Sequence, residues 1–409
     1  MKVGIITFHA ALNYGSALQA YALQEYLVSL GHETEIIDFR SAAQRRLYPT
    51  PVCFNSVYNA KHSLRRLLSD WGEIASMREK RRGFDSFLSS YLRLTPKTYH
   101  NESQLHNEDW SSFDAIVAGS DQIWNLAAID SSLAYFIDFA DDIIKISYAP
   151  SLGPDSERAL SAGRYGTSSE VQRLLSGFKA VSVREQGSAD ALVSRGFLPY
   201  VPEILPDPVL LHDAGFYREA AGSSGDLASD KAPAGNYVLF YSPGRKNSAA
   251  EMLADAAASG MLSDGASSVL PQEKRKIILK VSDGALAGKS VTFRAGLNER
   301  AGTYKGEDGM LEIPCGPAGF ISLIEGASCT VGTSFHLMVF SMLFGKDFWC
   351  PDAASDSRKV QLLDAIGLPS DRTFFPFSDP SVHKTVMTAL SDLRQKSEIF
   401  LTEVLKICQ

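Results

Sequence analysis

The first half of the chain alternates short apolar runs with amphipathic stretches. Val3 to Phe8 predicts a strand, Tyr14 to Leu30 a helix that Gly31 closes, and Thr34 to Phe39 a second strand. These three elements predict a βαβ unit whose helix packs one face on a sheet. Four further runs predict strands spaced for parallel crossovers. They are Ala115 to Ala118, Tyr135 to Phe139, Lys145 to Tyr148 and Ala180 to Val183.

A small, polar and turn-rich segment, EAAGSSGDLASDKAPAG over 219–235, predicts a linker. A second α/β series follows it. The predicted strands are Tyr237 to Tyr241, Lys276 to Val281, Leu311 to Pro314, Cys329 to Val331 and Asp347 to Cys350, with helices near 248–260, 317–326, 334–344 and 357–366. The stretch Ser381 to Ile407 predicts one long amphipathic helix.

This order of elements predicts an α/β fold of two Rossmann-like domains, residues 1–218 and 236–380. The linker 219–235 joins them, and a C-terminal helix covers 381–409. A chain of 409 residues also exceeds what one hydrophobic core usually serves. Ligands of such folds bind at the carboxyl ends of the strands, so we expect the site in a cleft between the domains.

The composition excludes several classes of protein. The formal charge of −7 and a pI near 5.7 argue against a nucleic-acid binder, which has a basic face. The five cysteines have no CxxC spacing, so neither a disulfide framework nor a zinc site is predicted. No signal peptide is evident and no apolar run approaches the ~20 residues that span a bilayer. We therefore expect a cytoplasmic protein.

Basic residues are concentrated in one region. Between Arg40 and Lys97, twelve Lys or Arg residues stand against four acids. A charge run of this kind is usually the solvated face of a helix. The alternative is a surface that makes a peripheral contact with anionic lipid, or with a lipid-linked acceptor, at the inner face of the membrane.

The segment GTSFHLMVFSMLFG, residues 332–345, places a histidine where a short strand gives way to an apolar helix. Thr333 or Ser334 can cap the first turn, and the free N–H groups there favour a phosphate or a carboxylate. His336 falls in that turn, on a helix that should be buried nearly all round. The alternative is a histidine that only packs in the core.

The loop HAALNYGS follows the first predicted strand and opens onto a helix. Asn13 can cap the helix, Gly15 allows a ligand or another backbone to approach closely, and Tyr14 lies between them. The position suits contact with a ligand in the cleft. Simple helix capping is the alternative.

A second strand-end loop, GSDQIWN, brings Ser120, Asp121 and Gln122 close to Trp124. Sugars are bound by this combination, because planar polar groups meet the hydroxyls and an aromatic ring meets the C–H face. The alternative is a polar turn in which Trp124 fills the core.

Two arginines are candidates for anion binding. Arg184 ends the apolar strand of VSVREQ, where a guanidinium can bind a carboxylate or phosphate through two hydrogen bonds. A salt bridge to Glu185 or to a neighbouring acid is the alternative. Arg358, in SRKV, is a weaker second cation. Asp207, between two prolines, is interpreted as structural, and no metal site is predicted.

Taken together, these blocks resemble the polysaccharide pyruvyl transferase family. The matching segments, in order, are NYGSALQAYALQ, FDAIVAGSDQIWN, ISYAPSLG, VSVREQ, GTSFHLMVFSMLFG and SRKVQLLDAIGL. The resemblance covers most of the chain and implies a GT-B-like fold. It implies transfer of pyruvate from phosphoenolpyruvate, as the donor substrate and without a cofactor, to two hydroxyls of a sugar. The product is a cyclic ketal on a lipid-linked or nucleotide-linked polysaccharide precursor.

The resemblance also implies that His336 and Arg184 serve phosphoenolpyruvate. His336 is the candidate acid, because imidazole exchanges protons near neutral pH. Arg184 would hold the donor, while Thr333, Ser334 and the helix amides share the charge of the leaving phosphate. The C-terminal domain is then the donor side, and the loops of residues 13–15 and 120–122 are the expected acceptor side.

One position departs from the family pattern, since relatives often carry glycine where Leu337 follows the histidine. A bulkier side chain there is expected to narrow the pocket. Two other functions stay open on the sequence alone. One is a GT-B glycosyltransferase that uses a sugar nucleotide, and the other is a non-catalytic glycan-binding protein of the same fold.

Overall fold

The computed structural model describes residues 1–47, 71–161, 168–223, 237–243, 277–281, 304–305 and 311–406. Within these ranges the chain forms two α/β halves, each built on a mainly parallel sheet.

The N-terminal half begins with the predicted βαβ unit. Its elements are β1 Lys2–Ile6, α1 Tyr14–Ser29, β2 Glu33–Ile36, α2 Ala42–Leu47, α3 Trp71–Tyr91, α4 Glu102–His106, β3 Ala115–Ala118, β4 Ile144–Ser147, α5 Ser156–Ser161, α6 Ser168–Ser176, β5 Phe178–Ala180, β6 Ser182–Val183, α7 Gln186–Ser194, β7 Glu203–Ile204 and α8 Ala214–Ser223. Five strands form one parallel sheet in the order β2-β1-β3-β4-β5, and β6 pairs with β7 in parallel. The βαβ order thus gives the sheet that the apolar runs predict.

The strand predicted at Tyr135 to Phe139 is wrong. The chain there forms a short 3-10 helix, Leu133–Phe136, which Ser132 caps by accepting a hydrogen bond from the N–H of Ala134. Ile137 then takes a positive φ of 53°, which an extended strand does not allow. The apolar run reflects burial of aromatic rings, and burial alone does not distinguish a strand from a tight helical turn.

The C-terminal half repeats the α/β pattern. Its elements are β8 Tyr237–Tyr241, β9 Ile277–Val281, β10 Tyr304–Lys305, β11 Leu311–Ile313, α9 Pro317–Gly326, β12 Cys329–Gly332, α10 Phe335–Leu343, β13 Phe348–Trp349, α11 Ser357–Ala365, β14 Phe374–Phe375 and α12 Pro380–Lys406. The strands form one sheet in the order β10-β11-β9-β8-β12-β13-β14. Both edge strands are antiparallel to their neighbours, and the interior pairs are parallel.

Two predicted segments fall partly or wholly outside the described residues. Helix α8 runs through residues 219–223, so the first part of the predicted linker is helical, and the rest of the linker lies outside the described residues. The helix predicted near 248–260 also lies outside them.

The two halves pack tightly against each other. The ring of Tyr14 stacks on Phe320 with 4.4 Å between centroids, and its hydroxyl donates to the Cys315 carbonyl. Gly83 and Gly316 meet so closely that a Cβ on either residue would lie 2.5 Å from the other's backbone. The contact between the halves therefore involves α1 and α3 of the N-terminal half and the residues around the start of α9 in the C-terminal half. Helix α12 also packs on the N-terminal half, through Arg394.

Candidate functional site

His336 lies on the first turn of α10 in the C-terminal half. Strand β12 ends at Gly332, and the Ser334 hydroxyl caps the helix by accepting from the Leu337 N–H at 3.3 Å. The remaining residues of α10 are buried, but the side chain of His336 stays 12% exposed. The helix therefore holds the imidazole rigidly at the edge of the cleft. The side chain of Leu337 is fully buried, so it packs in the core and does not narrow the pocket.

The carboxylate of Asp207 joins His336 to Arg184 of the N-terminal half. Asp207 follows β7 and caps the 3-10 helix Pro208–Leu211, with Oδ1 accepting from the Val209 N–H at 3.1 Å. Its Oδ2 accepts from Nη1 of Arg184 at 2.7 Å and lies 3.4 Å from Nε2 of His336. Groups from three separate chain segments therefore converge on one carboxylate at the domain boundary.

Arg184 keeps unused hydrogen-bond donors inside this cluster. Its side chain is only 3% exposed, and Nε and Nη2 have no hydrogen-bond partner among the described residues. Glu185 is close by, with Oε2 lying 3.5 Å from Nε of Arg184. The hydroxyls of Ser151 and Ser188 donate to Oε1 of the same glutamate. A buried guanidinium whose Nη2 has no partner among the described residues is a candidate for binding an anion.

The charges of the cluster stabilise one another. Burial alone would raise the pKa of Asp207, but His336 and Arg184 beside it hold that pKa well below its usual range. Burial likewise opposes the charge of Arg184, and the carboxylates of Asp207 and Glu185 outweigh it, so the pKa of Arg184 is raised. Both groups therefore stay charged at neutral pH.

The start of α1 packs directly on His336. Asn13 caps α1 by accepting from the N–H groups of Gly15 and Ser16 at 2.9 and 3.3 Å. A Cβ on Gly15 would lie 1.9 Å from Nδ1 of His336, so only glycine fits there. The predicted contact of Tyr14 with substrate is wrong, because its ring is fully buried between the two halves. Tyr14 anchors the loop of residues 13–15 to the C-terminal half through Phe320 and the Cys315 carbonyl.

The second predicted loop borders the same cluster. The Ser120 hydroxyl points to Oδ2 of Asp207 at 3.4 Å, and Oδ2 of Asp121 accepts from the Ser16 hydroxyl at 2.5 Å. Asp121 has a positive φ of 75°, an unfavourable conformation that is often found at functional sites. The Gln122 side chain faces inward, with Oε1 accepting from the Asn125 amide at 3.5 Å.

The aromatic ring of this loop does not reach a ligand. Trp124 is fully buried, stacks on Phe136 with 5.1 Å between centroids, and donates its indole N–H to the Tyr135 carbonyl. The prediction that Trp124 lies against a sugar is therefore wrong, and the core-filling alternative is correct.

Arg358 and Thr333 border the cluster from the C-terminal half. Arg358 forms two hydrogen bonds to Asp356, at 2.8 and 2.6 Å, so it is less available than Arg184. Phe335 lies between the two guanidiniums, with 5.1 Å from its centroid to Cζ of Arg184 and 5.8 Å to that of Arg358. The Thr333 hydroxyl hydrogen-bonds to that of Ser242 at 2.6 Å. Ser334, not Thr333, is the cap.

Residues 13–350 match the family described as polysaccharide pyruvyl transferase. The matched range contains the histidine, the arginine and the carboxylate that joins them. The chain belongs to the polysaccharide pyruvyl transferase family. No curated protein matches the chain.

Solved structures similar to this family member have the GT-B-like fold. The UDP-GlcNAc 2-epimerase of Neisseria meningitidis, bound to UDP-GlcNAc, has a TM-score of 0.50 at 10% identity, with 99% of this chain and 100% of that chain covered. The MnaA–UDP structure of S. aureus has a TM-score of 0.49 at 12% identity, with 98% and 97% covered. At 10% identity the likeness to the Neisseria meningitidis epimerase shows the fold alone, and this fold is GT-B-like.

Within the described part of the basic region, several positive residues pair with acids or are buried, while Arg45, Arg78 and Arg82 are exposed. Arg40 pairs with Asp38, Arg93 with Glu25 and Lys97 with Glu108, and Lys80 is buried over the ring of Tyr14. Residues 48–70 lie outside the described residues, so a membrane contact there stays a prediction. Among the helices that are described, none is long and apolar enough to cross a bilayer.

Asp207 is the functional candidate that the sequence interpretation missed. Its position between Pro206 and Pro208 suits a structural residue, and its carboxylate does cap the 3-10 helix Pro208–Leu211, but the same carboxylate also binds Arg184 and faces His336. A usable signal was present. Asp207 follows β7 by three residues, and β7 pairs in parallel with β6, after which Arg184 comes, so both residues lie at the same end of these strands.

Proposed function

We propose that this protein transfers the pyruvyl group of phosphoenolpyruvate to two hydroxyls of a sugar in a polysaccharide precursor, forming a cyclic ketal. The observation that carries the proposal is the meeting of Arg184 and His336, from opposite halves, on the single carboxylate of Asp207. Membership of the pyruvyl transferase family supports the reaction class. The donor and the acceptor are parts of the proposal.

The charge of the cluster favours a donor that binds together with a proton. Arg184 brings one positive charge, while Asp207 and Glu185 bring two negative charges, so a neutral imidazole leaves the cluster at minus one. A polyanionic donor would be repelled by this charge. A proton on His336 would neutralise the cluster, and Nη2 of Arg184 would then bind the donor carboxylate or phosphate.

The first chemical step is a proton transfer to carbon. Protonated His336 gives its proton to C3 of the enol, C2 becomes electron-poor, and one sugar hydroxyl attacks C2. The C2–O bond to phosphate then breaks, and the electron pair of that bond leaves with the phosphate. The N–H groups at the start of α10, with Thr333 and Ser334 beside them, stabilise the leaving anion.

The second step closes the ketal and restores the catalyst. The second sugar hydroxyl attacks C2, so that C2 carries two sugar oxygens, the methyl group and the carboxylate. Of the two hydroxyl protons released, one replaces the proton that His336 gave to C3, and the other leaves with phosphate. Asp121, held by Ser16 next to Gly15, is the candidate base for a hydroxyl proton.

The test follows phosphate release and ketal formation together. The protein is incubated with phosphoenolpyruvate and a lipid-linked oligosaccharide, and mass spectrometry detects the ketal. We expect the wild type to form one phosphate per ketal. His336→Ala should lower the rate at least about 100-fold, within the usual contribution of a general acid.

A matched control separates chemistry from folding. His100 has an exposed side chain, so His100→Ala should keep full activity. Consumption of a UDP-sugar or GDP-sugar in place of phosphoenolpyruvate would mean that the protein is a glycosyltransferase. Glycan binding without turnover, unchanged in His336→Ala, would mean that it is a non-catalytic binder.

A further inference from the structure

A glutamine is buried inside α1, one helical turn after the residues that contact His336. The side chain of Gln19 is fully buried. Its Nε2 donates to the Ser16 carbonyl at 3.0 Å and to the Thr7 hydroxyl at 2.9 Å. Because a carbonyl can only accept, the contact with Ser16 fixes which end of the amide is the donor. The two hydrogen bonds join the first turn of α1 to the residue that follows β1.

The Thr7 hydroxyl extends this connection to the loop that follows β3. Its oxygen accepts from Gln19, and its hydrogen is donated to the Ser120 carbonyl at 2.9 Å. Thr7 and Ser120 are both fully buried, so these hydrogen bonds are shielded from solvent. On the other side Gln19 holds Ser16, whose hydroxyl donates to Oδ2 of Asp121 at 2.5 Å. Gln19 is therefore bonded to one member of the Ser16–Asp121 pair and, through Thr7, to the residue next to the other member.

Asp121 needs such support, because its backbone is strained. A positive φ of 75° is unfavourable for a residue other than glycine, and it persists only where the surroundings impose it. The Asp121 side chain is only partly buried, so core packing does not impose this conformation. Hydrogen bonds do so instead. The Asp121 carbonyl accepts from the Ser151 N–H at 2.8 Å, and Ser120, immediately before it, is held by Thr7.

A second glutamine of α1 shows what a structural amide does in this helix. Gln24 is also fully buried, with Nε2 donating to the Tyr91 carbonyl at 2.9 Å and Oε1 accepting from the Arg93 N–H at 2.6 Å. Both ends of its amide are thus satisfied at the end of α3. In contrast, Oε1 of Gln19 has no hydrogen-bond partner among the described residues. An unsatisfied buried oxygen costs stability, so the donors of Gln19 are the part of its amide that the structure uses.

We propose that Gln19 is a positioning residue that holds Ser16 and Asp121 together at the edge of the site. It acts through the Ser16 carbonyl on one side and through Thr7 on the other. Its effect on ketal formation rests on the proposed function, in which Asp121 is the candidate base. Its effect on the loop does not. Gln19 touches no substrate, because its side chain is fully buried.

The first test measures amide hydrogen exchange by mass spectrometry. Gln19→Met keeps the length of the side chain and removes both donors, and Thr7→Val removes the hydroxyl alone. We expect residues 119–126 to exchange about tenfold faster in both variants, because the loop loses a hydrogen bond and opens more often. Gln24→Met is the matched control. It should leave this segment as in the wild type and accelerate exchange of Arg93, whose N–H loses its acceptor.

The second test is a double-mutant comparison of the rate of phosphate release from phosphoenolpyruvate. Gln19→Met should lower kcat about tenfold, a part of what a general base contributes, and change the KM for phosphoenolpyruvate less than about twofold, because Arg184 and His336 stay in place. Combined with Asp121→Asn, it should cause no further loss, since the residue through which it acts is already changed. Gln24→Met should keep the kcat of the wild type.

Two results would overturn the role of Gln19. One is exchange of residues 119–126 that both Gln19→Met and Thr7→Val leave unchanged. The other is a loss of kcat that adds in full to that of Asp121→Asn, because such a loss does not act through Asp121. Thermal unfolding shows that each variant is folded, and Thr7→Val supplies both comparisons if Gln19→Met does not fold. If the wild type releases no phosphate while the loop exchanges faster in the variants, the proposed reaction fails and the role of Gln19 in holding the loop stands.

Discussion

At the scale of single residues, Asp207 decides how the site is assembled. One of its oxygens accepts from Arg184 and faces His336, and the other caps the 3-10 helix through the Val209 N–H. Replacing this carboxylate by an amide should lower stability, because an amide nitrogen would face the Arg184 cation or leave the Val209 N–H without its acceptor. Asp207 is a positioning residue whose role is expressed through its two partners.

We predict that Asp207→Asn lowers the free energy of unfolding at pH 7 by about 3 kcal/mol, since removing one partner of a buried ion pair leaves an uncompensated charge. The folded-state pKa of Asp207 is depressed. Its stabilisation is therefore complete above the unfolded pKa of about 3.9 and is lost as the pH falls toward the folded value. Urea unfolding of wild type and variant should show a difference that is constant above about pH 5 and shrinks below about pH 4.

The control for this prediction is Asp142→Asn, at an exposed aspartate of the same half. It should leave the free energy of unfolding at pH 7 unchanged. A stability difference for Asp207→Asn that stayed constant down to pH 3 would show that the ionised carboxylate is not the stabilising group.

At the scale of elements, the first turns of α1 and α10 meet at Gly15 and His336. We predict that Gly15→Ala lowers the rate of ketal formation about 100-fold, because the added Cβ displaces the imidazole and a shift of about 1 Å at a reacting group has this effect. Steady-state kinetics with phosphoenolpyruvate measure the loss. Gly222→Ala is the control, since a Cβ there meets no atom within 4 Å. Equal activity of the two variants would rule out the contact as a constraint on catalysis.

Elements with local signals could be predicted from the sequence. The helix at Tyr14–Ser29 follows from its Asn13 cap and from Gly31 after its end, although it is buried on more than the one face that its pattern predicts, and the strand at Ala115–Ala118 follows from a short apolar run. The pairing of Asp207 with His336 and the burial of Tyr14 depend on how the two halves dock, whereas Trp124 is buried within the N-terminal half against Phe136 and Phe178. No local pattern encodes such docking. Local patterns therefore place His336 and Arg184 at strand ends, where their roles stay predictions, and they do not indicate that Tyr14 is buried.

At the scale of the whole molecule, the last helix holds the two halves together. Helix α12 leaves the C-terminal half and packs on the N-terminal half, where Arg394 donates to the carbonyls of Leu210 and His212 at 2.6 and 2.7 Å. Tyr148 of the N-terminal half also donates its hydroxyl hydrogen to the Ser397 hydroxyl of α12. The carbonyls that Arg394 binds belong to the segment that begins with Asp207. Helix α12 therefore contacts the segment that holds the carboxylate of the site.

We predict that Arg394→Met lowers the free energy of unfolding by about 2 kcal/mol, because two carbonyls lose a charged donor. Local opening should also become easier, so amide hydrogen exchange should accelerate in residues 204–212 before it changes in β1 or β3. Mass spectrometry of exchanged peptides measures this directly. Lys384→Met, at an exposed position of the same helix, should exchange as wild type. Protection of residues 204–212 that Arg394→Met left intact would mean that α12 does not hold this segment, and that Asp207 is fixed by its contacts within the site alone.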